Sequence, residues 1–153
     1  MAFRRVWTLA DGSVMITTPG PGKTIAEASQ DALASIPALQ TATFQNIDDA
    51  SGTWAALFPA SGRQFRSAWR RAGNNPLTVD MPTARRIKAE RIQVDLERRD
   101  RQAAGREMAE PGASKTAWSA YRQQLRGVVR DLSNLTTEAA LASFTPAWPT
   151  EPA

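Results

Sequence analysis

The segment Pro19-Gly20-Pro21-Gly22-Lys23-Thr24 has the residue types of a phosphate-binding loop: glycines, then a lysine and a hydroxyl. In such a loop, backbone N–H groups cradle a phosphate, the lysine neutralises it and the hydroxyl holds a metal ion. The full pattern also needs a glycine at position 17, which is threonine here. Two prolines remove N–H donors from the cradle. No hydrophobic strand ending in an acidic metal partner follows. The expectation is an ordinary turn leading into a capped helix.

A second chemical cluster is basic and aromatic. Arg63, Arg66, Arg70 and Arg71 surround Phe65 and Trp69, a mixture that can hold nucleic acid. On a strand over 64–71, Phe65, Ser67 and Trp69 would share one face, and Arg66 and Arg70 the other. That is an amphipathic strand, so nucleic acid ranks behind a structural role. Acidic pairs offer little. Asp48 and Asp49 are loop neighbours that diverge, and Asp95 and Glu97 lie on different helix faces. No Gly-x-Ser-x-Gly elbow is present.

The chain of 153 residues contains no cysteine and no histidine. This excludes disulfides, thiolate metal sites, a cysteine nucleophile and a Ser-His-Asp triad. The expectation is a non-enzymatic protein with no cofactor and no metal. The net charge of +4 comes from 19 basic and 15 acidic residues, an excess that a solvated surface of mixed sign accounts for. No apolar run approaches the roughly 20 residues that cross a bilayer. The N-terminus lacks the apolar stretch of a secretory signal. Asn134-Leu-Thr136 therefore carries little weight as a glycosylation sequon, and a cytosolic location is expected.

The elements that must position these residues begin with a hairpin. Runs over 5–9 and 14–18 flank Asp11-Gly12, a turn pair. A helix over 24–36 follows, with Thr24 and Glu27 at capping-box spacing and Ile25, Ala28, Ala32, Leu33 and Ile36 on one face. Pro37 ends it. A third strand is expected over 41–47. The stretch 48–62 is a loop whose Trp54, Leu57 and Phe58 must fold back onto something, because an exposed cluster would be sticky. A strand over 64–71 turns at 73–76 and pairs with 77–79.

Asp80 and Pro82 then open a long helix to about Met108. Pro111-Gly112 ends it, and Ser114 caps a second helix to about Leu135. In that helix Trp118, Tyr121, Leu125, Val128, Leu132 and Leu135 alternate spacings of three and four, with Val129 beside them. The first helix has Ala89, Ile92, Leu96 and Ala103 in a similar register, broken by Arg99. A separate face carries Ile87, Val94 and Met108. One face is expected to meet the second helix, and the other the sheet or a partner. A short capped helix over 136–142 and a proline-rich tail with a lone Trp148 finish the chain.

The expected architecture is therefore α+β. A small antiparallel sheet with one helix spans a domain of residues 1–80. A two-helix antiparallel hairpin spans 81–135. A short helix and an extended Pro/Trp tail span 136–153.

The order of several segments resembles that of small tail-region proteins of tailed bacteriophages and prophages. The likeness lies in Phe65-Arg-Ser-Ala-Trp69, in a strand ending Val79-Asp80-Met81-Pro82, and in a helix beginning Ala84-Arg85. Near the C-terminus it lies in Arg122-Gln-Gln-Leu125-Arg126 and Trp148-Pro149. Tyr121-Arg-Gln-Gln-Leu-Arg126 with a terminal Trp-Pro is also similar to the phage tail assembly chaperone group. The likeness covers about residues 63–149. Gly127-Val128-Val129 and the stretch 136–145 extend beyond the pattern.

The resemblance implies tail or tail-fibre assembly in a host cytoplasm, through contacts with phage tail or tail-fibre proteins, and no catalytic residue. A permanent virion component of the tail tip, baseplate or fibre attachment is the alternative. A basic nucleic-acid-binding accessory protein is the second. The expected contact residues are Trp118, Tyr121, Leu125, Val128, Leu132 and Trp148, and self-association is open.

Overall fold

The computed structural model describes residues 3–48, 53–59, 62–128 and 130–152. Asp49 and Val129, singled out above, lie outside the described residues. The chain divides into two compact units, residues 1–84 and 85–153.

The first unit is built on a three-stranded antiparallel sheet, β1 (Phe3–Thr8), β2 (Val14–Thr17) and β3 (Thr43–Asp48), in the order β2-β1-β3. Val6 faces Ile16 on one side and Gln45 on the other. The β1–β2 turn closes through Gly12, whose φ of 76° is the left-handed region that glycine enters without a Cβ penalty. Asp11 accepts the Ser13 N–H at 2.8 Å and fixes the same turn. Val6 and Trp7 are consecutive and both buried, so both faces of the central strand are covered. The Trp7 indole N–H is satisfied by the Thr17 hydroxyl at 2.8 Å.

Helix α1 (Ile25–Ser35) lies against β1 and β2. Its capping box is formed: the Thr24 hydroxyl accepts from Glu27 N–H, and the Glu27 carboxylate accepts from Thr24 N–H at 2.7 Å. Helix α2 (Thr53–Ala56) turns Trp54, Leu57 and Phe58 onto a core of Val6, Ile47, Trp69 and Leu77. Phe58 sits edge-on to Trp54 at 4.7 Å and tilted on Trp69 at 5.2 Å between ring centres.

The expected strand over 64–71 is corrected. Only β4 (Trp69–Arg70) is extended, and it pairs with β5 (Thr78–Val79) as a separate two-stranded sheet. A 3-10 turn occupies Arg66–Ala68. Phe65, Ala68 and Trp69 are buried while Arg66 and Ser67 are exposed. That spacing of three and four is helical, and a strand would have left Ala68 outside.

Helix α3 (Met81–Ala109) is capped by Asp80, whose carboxylate accepts the Thr83 N–H at 3.0 Å. In the second unit α4 (Gly112–Arg126) runs back along α3. Arg122 reaches Asp100 and Glu107, and past the end of α4 Arg130 reaches Gln93 and Ser133 accepts from Arg85. Ala103, Trp118, Tyr121 and Leu125 form the core of this unit, with Trp148 packed against it. Helix α5 (Glu138–Ser143) is capped by the Thr137 hydroxyl.

The expected architecture of one sheet with one helix, a two-helix hairpin and an extended tail is therefore corrected. The described residues form two small antiparallel sheets and five α-helices, of which α3 and α4 are the long ones. Helix α4 stops at Arg126 rather than Leu135, because Gly127 has low helix propensity and sits at the cap. Beyond it, the Asp131 carboxylate accepts the Ser133 N–H at 2.9 Å, a local bond that competes with helix. Ser114 lies inside α4, with its hydroxyl on the Glu110 carboxylate. The segment after Phe144 has no regular structure, but it is not free, since Trp148 docks on the core.

Leu125 is 1% exposed and Met108 is 88% exposed. Leu125→Ala is expected to cost about 2–5 kcal/mol in urea unfolding, whereas Met108→Ala should change stability by about 0.5 kcal/mol or less. Equal losses at both positions would contradict this core assignment.

Candidate functional site

The second unit places its chemistry on α3, a helix with two apolar sides. Ile92, Leu96 and Ala103 are buried on one side. At 100° per residue, Val94 lies roughly opposite all three, and Ile87 and Met108 fall near Val94. Val94 is 63% exposed and Met108 is 88% exposed. Around Val94 a shallow hollow of about 430 Å³ is lined by Ile87, Glu90, Arg91 and Asp95. On this side Ile87 is half-buried, Val94 and Met108 are exposed, and the exposed Arg98 and Arg101 fall between those two; it is the candidate contact surface of the second unit.

The buried side is held by charge as well as packing. Arg122 donates to Asp100 at 2.9 and 3.2 Å and to Glu107 at 2.9 Å. Its guanidinium is held above its ordinary pKa, first by Asp100 and then by Glu107. The Arg122 hydrogen bond in turn holds the Asp100 carboxyl below its ordinary range, against an opposing effect of desolvation. Glu110 accepts from Ser114, and from the Trp118 indole N–H at 3.3 Å, and pairs with Arg106 at 3.5 Å. Its carboxyl is lowered chiefly by the Ser114 bond.

Arg99 stands where the stripe Ile92, Leu96, Ala103 calls for an apolar side chain. The C-terminal segment covers it. The Trp148 ring lies 4.7 Å from the guanidinium and the Glu151 carboxylate 3.3 Å from Nη1. An arginine gains from an aromatic face together with a carboxylate. Sequence reasoning treated Arg99 as a break in the pattern. The signal that could have found it was that same charge inside an apolar register.

The six expected contact residues are distributed unevenly. Trp118, Tyr121, Leu125, Val128 and Leu132 are all buried within the chain, at 8, 3, 1, 8 and 4% exposure. Trp148 is half-buried on Arg99 and the α3–α4 core. Three of these residues, Trp118, Tyr121 and Leu125, are brought into one cluster with Ala103, on the side of α3 away from Val94.

The other chemical candidates are accounted for locally. Lys23 is paired with Asp31 at 2.6 Å, and the Thr24 hydroxyl serves the α1 cap. Arg71 is 5% exposed and bonds to the Asn75 carbonyl and to Gln45, so it is structural. Arg63 and Arg66 line a small hollow of about 140 Å³ beside Trp54, Phe58 and Trp69. Among the described residues no cluster of three acidic, histidine or cysteine side chains could hold a metal ion. No described helix is long and apolar enough to cross a membrane.

No family model, curated protein or solved structure matches this chain.

The Arg122 pairing generates a pH prediction. A depressed folded-state carboxyl contributes stability above its unfolded pKa of about 3.9 and loses it as pH falls through the lower folded value. Both partners are partly exposed, so Arg122→Gln is expected to cost only about 1 kcal/mol at pH 7. The difference from the unsubstituted protein should shrink below about pH 4. A difference that stays constant to pH 2 in chemical denaturation would contradict the assignment.

Proposed function

We propose that this chain is a non-enzymatic bacteriophage tail protein that acts in tail or tail-fibre assembly through protein–protein contacts, in the cytoplasm of the host. One observation carries the contact part of this reading. Helix α3 buries one apolar side in its own unit and leaves Val94 and Met108 exposed on the other. Ile87, Val94 and Met108 share one side of α3, which offers a partner an apolar side to cover among the exposed Arg98 and Arg101. Burying Val94 would contribute roughly 1.5–3 kcal/mol at full burial.

The order of segments over 63–149 supports the choice of partner class. Phe65-Arg-Ser-Ala-Trp69, Val79-Asp80-Met81-Pro82, Tyr121-Arg-Gln-Gln-Leu-Arg126 and Trp148-Pro149 resemble, in their order, segments of small phage tail-region proteins. The burial of Trp118, Tyr121, Leu125, Val128 and Leu132 shifts the proposed contact from those residues to the Ile87–Val94–Met108 stripe. Trp148 is proposed to keep a role through the segment that carries it.

A permanent place in the tail tip, baseplate or fibre attachment is the second reading. The same side of α3 serves it, because a structural subunit also needs a face to bury. The two differ in lifetime. Quantitative mass spectrometry of purified particles from a producing host separates them. The assembly role predicts the protein in the lysate and absent from particles, and a fixed stoichiometric copy number would replace it with the structural role.

Val94→Glu is expected to leave the thermal midpoint within a few degrees, since the site is exposed. It should weaken association with tail or fibre components about tenfold or more, as a charge is forced into an apolar contact. Undiminished assembly and association in this variant would contradict the proposed surface.

A further inference from the structure

In the second unit a cavity of about 520 Å³ opens beside the core, bounded by Arg99, Arg106, Glu110, Trp118, Tyr121 and Glu151. Its volume falls in the range of small-molecule sites, roughly 300–1,000 Å³. Two of its lining side chains carry buried polar atoms with no partner. They are the Tyr121 hydroxyl and Arg99 Nε. Tyr121 is 3% exposed, and a hydroxyl so deep is ordinarily hydrogen-bonded.

The charged groups Glu110 and Arg106 of the wall are engaged with each other. Glu110 is held by Ser114, Trp118 and Arg106. Arg99 Nε–H can only donate and the Tyr121 hydroxyl can donate as well as accept, so one acceptor can satisfy both. Trp118 gives an aromatic wall beside them.

Arg99 also shows which chemistry it takes. It holds an aromatic face, Trp148, and a carboxylate, Glu151, both from one proline-flanked segment. The Glu151 contact is long for a charged pair, at 3.3 Å, and that side chain is 57% exposed. Another carboxylate could displace it.

We propose that this cavity binds a carboxylate-bearing aromatic group. The carboxylate accepts from the Tyr121 hydroxyl and from Arg99, displacing Glu151, and the ring lies against Trp118. Both donor atoms are closed to solvent while the chain's own C-terminal segment is docked, so the ligand reaches them by loosening that strap. This chemistry could come from a free aromatic acid or from an aromatic, acidic peptide segment. The inference does not depend on the assembly role proposed above.

The test is a titration of the full chain, followed through the indole N–H signal of Trp118 in NMR. One probe is N-acetyl-L-tryptophan, a free aromatic acid. Another is a peptide with the sequence of residues 144–153, which carries both Trp and Glu. Saturable binding of either supports the site, and the tighter of the two names the source. N-acetyl-L-tryptophanamide, which lacks the carboxylate, should bind about tenfold more weakly than the acid. Tyr121→Phe removes the hydroxyl and leaves the packing, so it should fold as before and weaken binding about fivefold or more. Glu151→Gln should strengthen binding of the free acid, because the strap is released. No saturable shift with either probe overturns the proposal, as does equal binding of the amide or an unaffected Tyr121→Phe. Those outcomes would mean that water alone satisfies the two donors.

Discussion

The second unit turns on Arg99, a charge set in an apolar register. Ile92, Leu96 and Ala103 are buried on one side of α3, Ala103 against α4, and Arg99 falls between the last two. A guanidinium there cannot be left bare against apolar neighbours. The chain meets this constraint by bringing its C-terminal segment across α3, so that Trp148 covers the cation and Glu151 pairs with it. A segment with no regular structure is thereby docked, and a cavity lies beside it, lined by Arg99, Trp118 and Tyr121.

The same helix has two sides with different surroundings. One side of α3 is spent inside its unit, where Arg122 ties α4 to Asp100 and Glu107. The other side keeps Val94 and Met108 in solvent. A contact made there would add to a surface that is already helical, so little backbone ordering opposes it.

How much was legible in the sequence depended on how local the cause was. The α1 capping box was legible because Thr24 and Glu27 satisfy each other within three residues. The β1–β2 turn was legible because Asp11-Gly12 suits only a few backbone conformations. The segment 64–71 misled because Phe65 and Trp69 stand four apart, a spacing that fits a strand face and a helical turn equally. The burial of Ala68 decides between them, and that depends on tertiary packing. The second helix was overextended because the spacing of apolar residues continues through Val128 and Leu132. Both are buried, but by a chain that has already left the helix at Gly127. The aromatic and aliphatic seam was visible as a set of positions. Whether it faced a partner or its own chain was not, because periodicity marks a buried face without saying what buries it.

The central claim is that the Val94 side of α3 is a protein contact surface. The most direct measurement is photo-cross-linking in cells that make this protein and assemble particles, with a photoreactive amino acid at position 94. A matched sample would carry it at position 123, an exposed polar site on α4. The account predicts a discrete cross-linked product at 94, containing a tail or fibre protein and missing at 123. Cross-linking at neither position, or equally at both, would contradict it.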